Sequence, residues 1–210
     1  MFHIMLSLML LSLDGSSTFA TVTLEARQTV SPCAGLGNNT WSITPYNFTL
    51  AAYNITLPNA NVSGVPLIYA PVQGFTPTVA IATSDSFLAE SGLQLNYLYN
   101  NTLNPRESNG SSIAVSGNPV AQGMSLQFLL ESHGNTSSSA QIYCVKDAEP
   151  NDGYPYPILA VNGDADNFSL CLGLFPLATD VSYVIYRPIQ NTSGYIYDSC
   201  YSVRLNVLWE

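Results

Sequence analysis

The chain has 210 residues, enough for one domain with a sizeable core, yet only 9% of them are charged. Its formal net charge of −9 repels phosphate backbones and anionic lipid, so nucleic acid and membrane surfaces are excluded as partners. So few charges also leave open what keeps the surface in water.

The first residues read as an export signal. Residues 2–13 form an apolar run that is too short to anchor in a bilayer, and Thr18-Phe19-Ala20 offers a small-x-small cleavage pattern. Cleavage is expected after Ala20, giving a signal over residues 1–20, an N-terminal extension over 21–45 and an all-β domain over 46–210. The usual basic start is missing, since only His3 could carry charge there. Ala26-Arg27 offers a second, weaker cut. No later stretch is long and apolar enough to span a membrane, and the end from Arg204 to Glu210 lacks the tail of a lipid-anchor signal.

Short β-type runs then follow one another between turn residues. Residues 48–53, 66–72, 79–83, 93–99, 112–116, 126–131, 140–146, 158–161, 168–172, 182–187 and 202–208 are expected strands, rich in Val, Ile, Thr and Tyr. Asn109-Gly110, Asp152-Gly153 and Asn162-Gly163 are turn signals between them. The one helical candidate, 85–91, is short. The expected fold is therefore all-β, a single domain of about 11–12 short strands.

Three words recur in the same order. Asn47-Phe48-Thr49-Leu50 matches Asn167-Phe168-Ser169-Leu170, and Leu67-Ile68-Tyr69-Ala70-Pro71 matches Val184-Ile185-Tyr186-Arg187-Pro188. Leu93-Gln94-Leu95-Asn96-Tyr97-Leu98 matches Val203-Arg204-Leu205-Asn206-Val207-Leu208. With a diverged middle copy between about Tyr99 and Gly163, this favours a β-trefoil-like plan, with a β-sandwich or jelly roll as the alternative. Strand alternation puts Phe48 and Leu50 on the core side and Asn47 and Thr49 outside, and likewise for Phe168 and Leu170 against Asn167 and Ser169.

The N-glycosylation sequon Asn-x-Ser/Thr occurs at Asn38, Asn47, Asn54, Asn61, Asn100, Asn109, Asn135, Asn167 and Asn191. Chance would supply roughly three, so the excess predicts glycans that solubilise a charge-poor surface. Cys33, Cys144, Cys171 and Cys200 all lie beyond the signal, and an even count in an exported chain reads as two disulfides. Of the three pairings, Cys144–Cys171 with Cys33–Cys200 is favoured. The spacing does not suit zinc, and no metal or cofactor is expected.

Catalytic sets are sparse. His133 is the one histidine left after signal removal, and it reads as a loop residue rather than the base of a Ser-His-Asp set. The carboxylates Asp147, Glu149 and Asp152, and then Asp164 and Asp166, gather in two loops, where a glycosidase would need a facing pair. The second loop also offers oxygens to Ca²⁺, but it lacks the closing acidic residue of an EF-hand. Trp41, Tyr46, Tyr97, Tyr99, Tyr154, Tyr156, Tyr195 and Tyr197 could stack on sugars. The stiff Tyr154-Pro155-Tyr156-Pro157 segment makes Tyr154 and Tyr156, with Asp164 and Asp166, the candidate ligand-binding residues.

Residues 57–67 (LPNANVSGVPL) and 159–171 (LAVNGDADNFSLC) resemble a family of small secreted proteins of mushroom-forming fungi. The likeness extends over most of the mature chain, including Cys144 and Cys200. It implies a fungal extracellular or cell-wall setting and carries over no functional residue. The expected function is a non-enzymatic extracellular or wall-associated glycoprotein that binds polysaccharide or an extracellular protein. A secreted protease inhibitor and a glycoside hydrolase are the alternatives.

Overall fold

A computed structural model describes residues 31–72, 77–83, 93–107, 114–131, 139–148, 153–174, 177 and 180–210. The expected helix at 85–91 and the Asn109-Gly110 turn lie outside the described residues. So do residues 1–20, His133, Glu149, Asp152 and the sequon residues Asn109 and Asn135.

The described chain is all-β. Its strands are β1 (Thr40–Trp41), β2 (Phe48–Asn54), β3 (Val65–Pro71), β4 (Thr78–Thr83), β5 (Leu93–Tyr99), β6 (Thr102–Glu107) and β7 (Ala114–Gly117). They continue with β8 (Met124–Ser125), β9 (Gln127–Glu131), β10 (Tyr143–Lys146), β11 (Ile158–Val161), β12 (Phe168–Leu172), β13 (Ser182–Tyr186) and β14 (Tyr201–Trp209).

Six strands close into an antiparallel barrel in the order β2-β3-β4-β13-β12-β14 and back to β2. The registers are explicit: Leu50 opposes Leu67, Tyr69 opposes Ile81, Ala82 opposes Tyr183, Val184 opposes Leu170, Phe168 opposes Val203, and Val207 opposes Leu50. Closure is possible because each ring strand alternates. Phe48, Leu50 and Ala52 of β2 point inward, as do Val203, Leu205 and Val207 of β14, and all are almost fully buried. Each of these Phe, Leu and Val side chains contributes about 1.5–3 kcal/mol by leaving water. None of the ring strands comes from residues 99–163, where the trefoil-like reading places its middle copy.

That middle stretch packs outside the ring. The β10–β11 hairpin joins β14 through Ile158 and Asn206, and β1 extends it. The β5–β6 hairpin joins β2 through Asn96 and Phe48, and β7–β9 joins β4. The Asn162-Gly163 turn forms as its residues predict, with φ of 54° and 75°. Gly163 is also required sterically, since a Cβ there would stand 2.8 Å from the Ala34 carbonyl oxygen.

The disulfides correct the favoured pairing: Cys33 bonds Cys144, and Cys171 bonds Cys200. Cys144 on β10 and Cys171 on β12 were expected to be neighbours, but β11 and β14 lie between them. Three strand spacings of roughly 4.8 Å exceed the span a disulfide can bridge. Cys33 instead belongs to a turn packed with Leu36, Ile158, Ala160 and Ala165 on the outer face of β10–β11. Loop closure over separations of 111 and 29 residues corresponds to about 5 and about 4 kcal/mol in the chain-entropy account. Residues 31–45 are thus tied to the barrel, and Thr44 within them is fully buried.

Candidate functional site: an aromatic groove at the barrel rim

Strand β14 runs past the end of the barrel. Leu205 and Val207 fill the interior, but Trp209, next on the same face, reaches the rim and stays 39% exposed. Its position is fixed by the β2–β14 register, in which Trp209 opposes Phe48 and the two rings meet edge-on at 5.8 Å. Trp41 of β1 comes alongside, its ring centroid 6.3 Å from that of Trp209. Its Nε1–H donates to Asp147 Oδ2 at 3.1 Å, while the Asp147 backbone N–H donates to Asn39 O at 2.9 Å.

Pro45 and Tyr46 form the adjoining wall. They are held there because Thr44 exchanges two bonds with Leu98 of β5: its N–H donates to Leu98 O, and its Oγ1 accepts from Leu98 N–H. Tyr46 remains 64% exposed. Beyond it, β5 contributes Tyr97, stacked on Tyr99 two residues on and therefore on the same face of the strand. Arg106 of β6 places its guanidinium 4.8 Å from the Tyr97 ring centre and donates from Nη1 to Asn47 Oδ1 at 3.4 Å.

Two adjoining hollows result. One, about 320 Å³, is lined by Trp41, Pro45, Tyr46, Asp147, Trp209 and Glu210. The other, about 670 Å³, is lined by Pro45, Tyr46, Asn47, Tyr97, Arg106 and Glu210. They share Pro45, Tyr46 and Glu210, so they make one groove. Exposed ring faces beside carboxylates suit a ligand with apolar C–H faces and peripheral hydroxyls.

The acidic loop and the Tyr-Pro-Tyr-Pro segment lie elsewhere and are engaged. Asp164 Oδ2 accepts from Arg187 Nε at 2.9 Å and Nη2 at 2.6 Å, from Asn167 Nδ2 at 2.8 Å and from the Tyr186 hydroxyl at 3.2 Å. Partial burial pushes the Asp164 carboxyl up, but the bonds from Asn167, Arg187 and the Asp166 backbone and the charge of Arg187 outweigh it. The carboxyl is held below its ordinary range. Asp166 turns to a different arginine, accepting from Arg204 Nε at 3.1 Å. Arg204 in turn lies 4.3 Å over the Tyr154 ring, and Tyr154 meets Tyr53 edge-on at 5.4 Å. Arg204 therefore joins Tyr154 to Asp166, while Asp164 is paired with Arg187 and linked to Asp166 through the Asp166 backbone N–H, which donates to its Oδ1 at 3.1 Å. Tyr156 is half-buried. Among the described residues no group of three or more His, Cys, Asp and Glu is placed to hold a metal.

The sequon asparagines divide by exposure. Asn38, Asn61, Asn100, Asn167 and Asn191 are exposed, while Asn47 and Asn54 are half-buried. At Asn54 the side-chain oxygen accepts from Thr56 N–H and Oγ1–H, both at 2.9 Å. At Asn61 it accepts likewise from Ser63, both at 3.1 Å.

Trp41, Tyr46 and Tyr97 are among the aromatics that the sequence singles out, and Asp147 belongs to its first acidic loop. Trp209, Glu210, Arg106 and Asn47 are missing from that ligand set. Alternation along 203–209 suggests Trp209 is one more core residue, and only the barrel's height shows that it is not. Compared with known protein families, curated proteins and solved structures, the chain matches none.

Proposed function

We propose that the chain is an exported, N-glycosylated extracellular or wall-associated protein that binds polysaccharide in the Trp41–Trp209–Tyr46–Tyr97 groove. The observation that carries this reading is the pairing of partly exposed tryptophans beside Asp147 and Glu210 at a rim built by the barrel itself. Aromatic faces stack on the C–H faces of pyranose rings, and carboxylates accept from their hydroxyls. Export, glycans and kinship with the secreted fungal family are part of the same reading. They are supported by the apolar start, the sequon excess and the residues quoted above. As for the finer fold, we infer two related three-strand sets, β2-β3-β5 and β12-β13-β14, rather than a trefoil-like or jelly-roll plan, because five of these strands together with β4 form the ring and β5 flanks it.

The test is retention on insoluble chitin, β-glucan and plant-wall polysaccharide. The expected result is binding that weakens by up to about tenfold in Trp209→Ala, the value of a lost stacked ring. Failure of the intact protein to bind any of them would sink the proposal. Loss in Tyr154→Ala with Trp209→Ala unaffected would move the site to the Tyr154–Arg204–Asp166 cluster. Release of reducing sugar, abolished by Asp147→Asn, would make the groove a hydrolase site instead.

A further inference from the structure

Asn47 is a sequon acceptor that stands in the wall of the groove itself. It lines the 670 Å³ hollow with Tyr97 and Arg106, and its backbone carbonyl accepts from Glu210 N–H at 3.1 Å. Its Oδ1 is taken up by Arg106 Nη1–H. Among the described residues its Nδ2, the atom that carries the sugar in an N-linked glycan, makes no hydrogen bond. Thr49, which completes the sequon, is half-buried on the same strand face. Arg106 also has a buried Nε with no partner among the described residues.

We propose that the glycan attached at Asn47 folds back into the Tyr97–Arg106 half of the groove and closes that end to free ligand. The inference rests on the export and polysaccharide-binding reading above. Attachment makes docking intramolecular, so the first sugars face the hollow at an effective concentration in the millimolar range without any affinity of their own. The hollow is of a size that takes a small ligand. Tyr46 offers an exposed ring face, Tyr97 walls the hollow, and the Arg106 guanidinium that lines it offers donors to an acetamido or hydroxyl oxygen. Free polysaccharide is then confined to the Trp41–Trp209 half, and the attached glycan sets the number of sugar units that fit.

Two measurements on the protein from a secretory host decide this. In the first, endoglycosidase trimming is followed by glycopeptide mass spectrometry without any added ligand. The Asn47 glycan should be trimmed more slowly than the one at exposed Asn61, and the difference should vanish in Tyr97→Ala. Equal rates, or an unmodified Asn47, overturn the inference whatever the protein binds. In the second, an oligosaccharide ladder is titrated against the wild type and Thr49→Ala, with Thr49→Ser retaining the sequon as control. Wild-type affinity should level off at short oligomers, whereas Thr49→Ala should go on gaining, up to about tenfold per further stacked unit. Identical ladders overturn the inference, while no binding to either protein sinks the polysaccharide reading and leaves the trimming result to stand alone.

Discussion

Phe48 and Phe168 hold the same place in two related strand sets, and their surroundings differ in one respect that matters. In the first set β2 lies between β3 and β5, with Leu50 opposite Leu67. In the second β12 lies between β13 and β14, with Leu170 opposite Val184. Each phenylalanine touches one aromatic ring near the rim, Trp209 at 5.8 Å and Tyr186 at 5.7 Å. Trp209 is left 39% exposed and opens onto the groove, whereas Tyr186 is 5% exposed. The Tyr186 hydroxyl is given to Asp164, and Arg187 lies over its ring. The same core word thus supports an open rim on one side and a clamped rim on the other. Strand pattern builds the barrel, and the few residues beyond the pattern decide what each rim can do.

The comparison breaks hardest at the phenylalanines. Phe48→Ala and Phe168→Ala should each cost about 3–5 kcal/mol in denaturant unfolding, as buried rings do. Only Phe48→Ala should also weaken polysaccharide retention at temperatures where both variants stay folded, because only Phe48 braces Trp209. Equal effects on retention would erase the distinction between the rims.

Removal of the disulfides sharpens it next. Replacing Cys33 and Cys144 together by Ser, or Cys171 and Cys200 together, should cost about 2–5 kcal/mol in each case. The first pair tethers the segment that carries Trp41, so its loss should lower retention as well. The second pair should leave retention intact in the folded protein.

Acid gives a smaller effect confined to the clamped rim. Because the Asp164 carboxyl is held below its ordinary range in the fold, its contribution is present above an unfolded value of about 3.9 and is lost as pH falls through the folded one. Tm should fall on acidification between about pH 5 and pH 2, with a shallower slope in Asp164→Asn. An unchanged slope would show that Asp164 stabilises nothing.

The smallest expected difference is in glycan occupancy. Asn47 gives its oxygen to Arg106 and its Nδ2 makes no hydrogen bond among the described residues, while Asn167 spends an Nδ2–H on Asp164. In glycopeptide mass spectrometry, Asp164→Asn should alter trimming or occupancy at Asn167 and leave Asn47 unchanged.

Much of this architecture is legible in the residues. Alternation at Phe48, Leu50, Phe168 and Leu170 identifies the inward faces, and the three repeated words fall on β2, β3 and β5 and on β12, β13 and β14. Ser169 departs from the expected outer exposure, since it is buried. Strand β6 is harder to read because it contains Pro105 and follows an Asn100-Asn101 turn, with φ of 48° and 61°, where Asn-Gly is the familiar signal. The disulfide pairing depends on which strands become neighbours, and chain order does not show that β14 inserts between β11 and β12. The groove is least legible of all, because its aromatics come from three distant stretches of the chain, Trp41 with Tyr46, Tyr97, and Trp209, and meet only after the ring closes.

Pro105 has a consequence for the chain at high concentration. Counting from the Tyr99–Thr102 pair at the turn, the Asn96–Pro105 pair is one whose backbone N–H positions face away from the partner strand. Strand β6 ends the pairing order among the described strands, and Pro105, itself buried, gives it no N–H donor for a further strand at that position. The opposite end, β1, has only two residues. Along the main pairing path of the described strands, a proline-interrupted strand at one end and a two-residue stub at the other make poor templates for adding a strand.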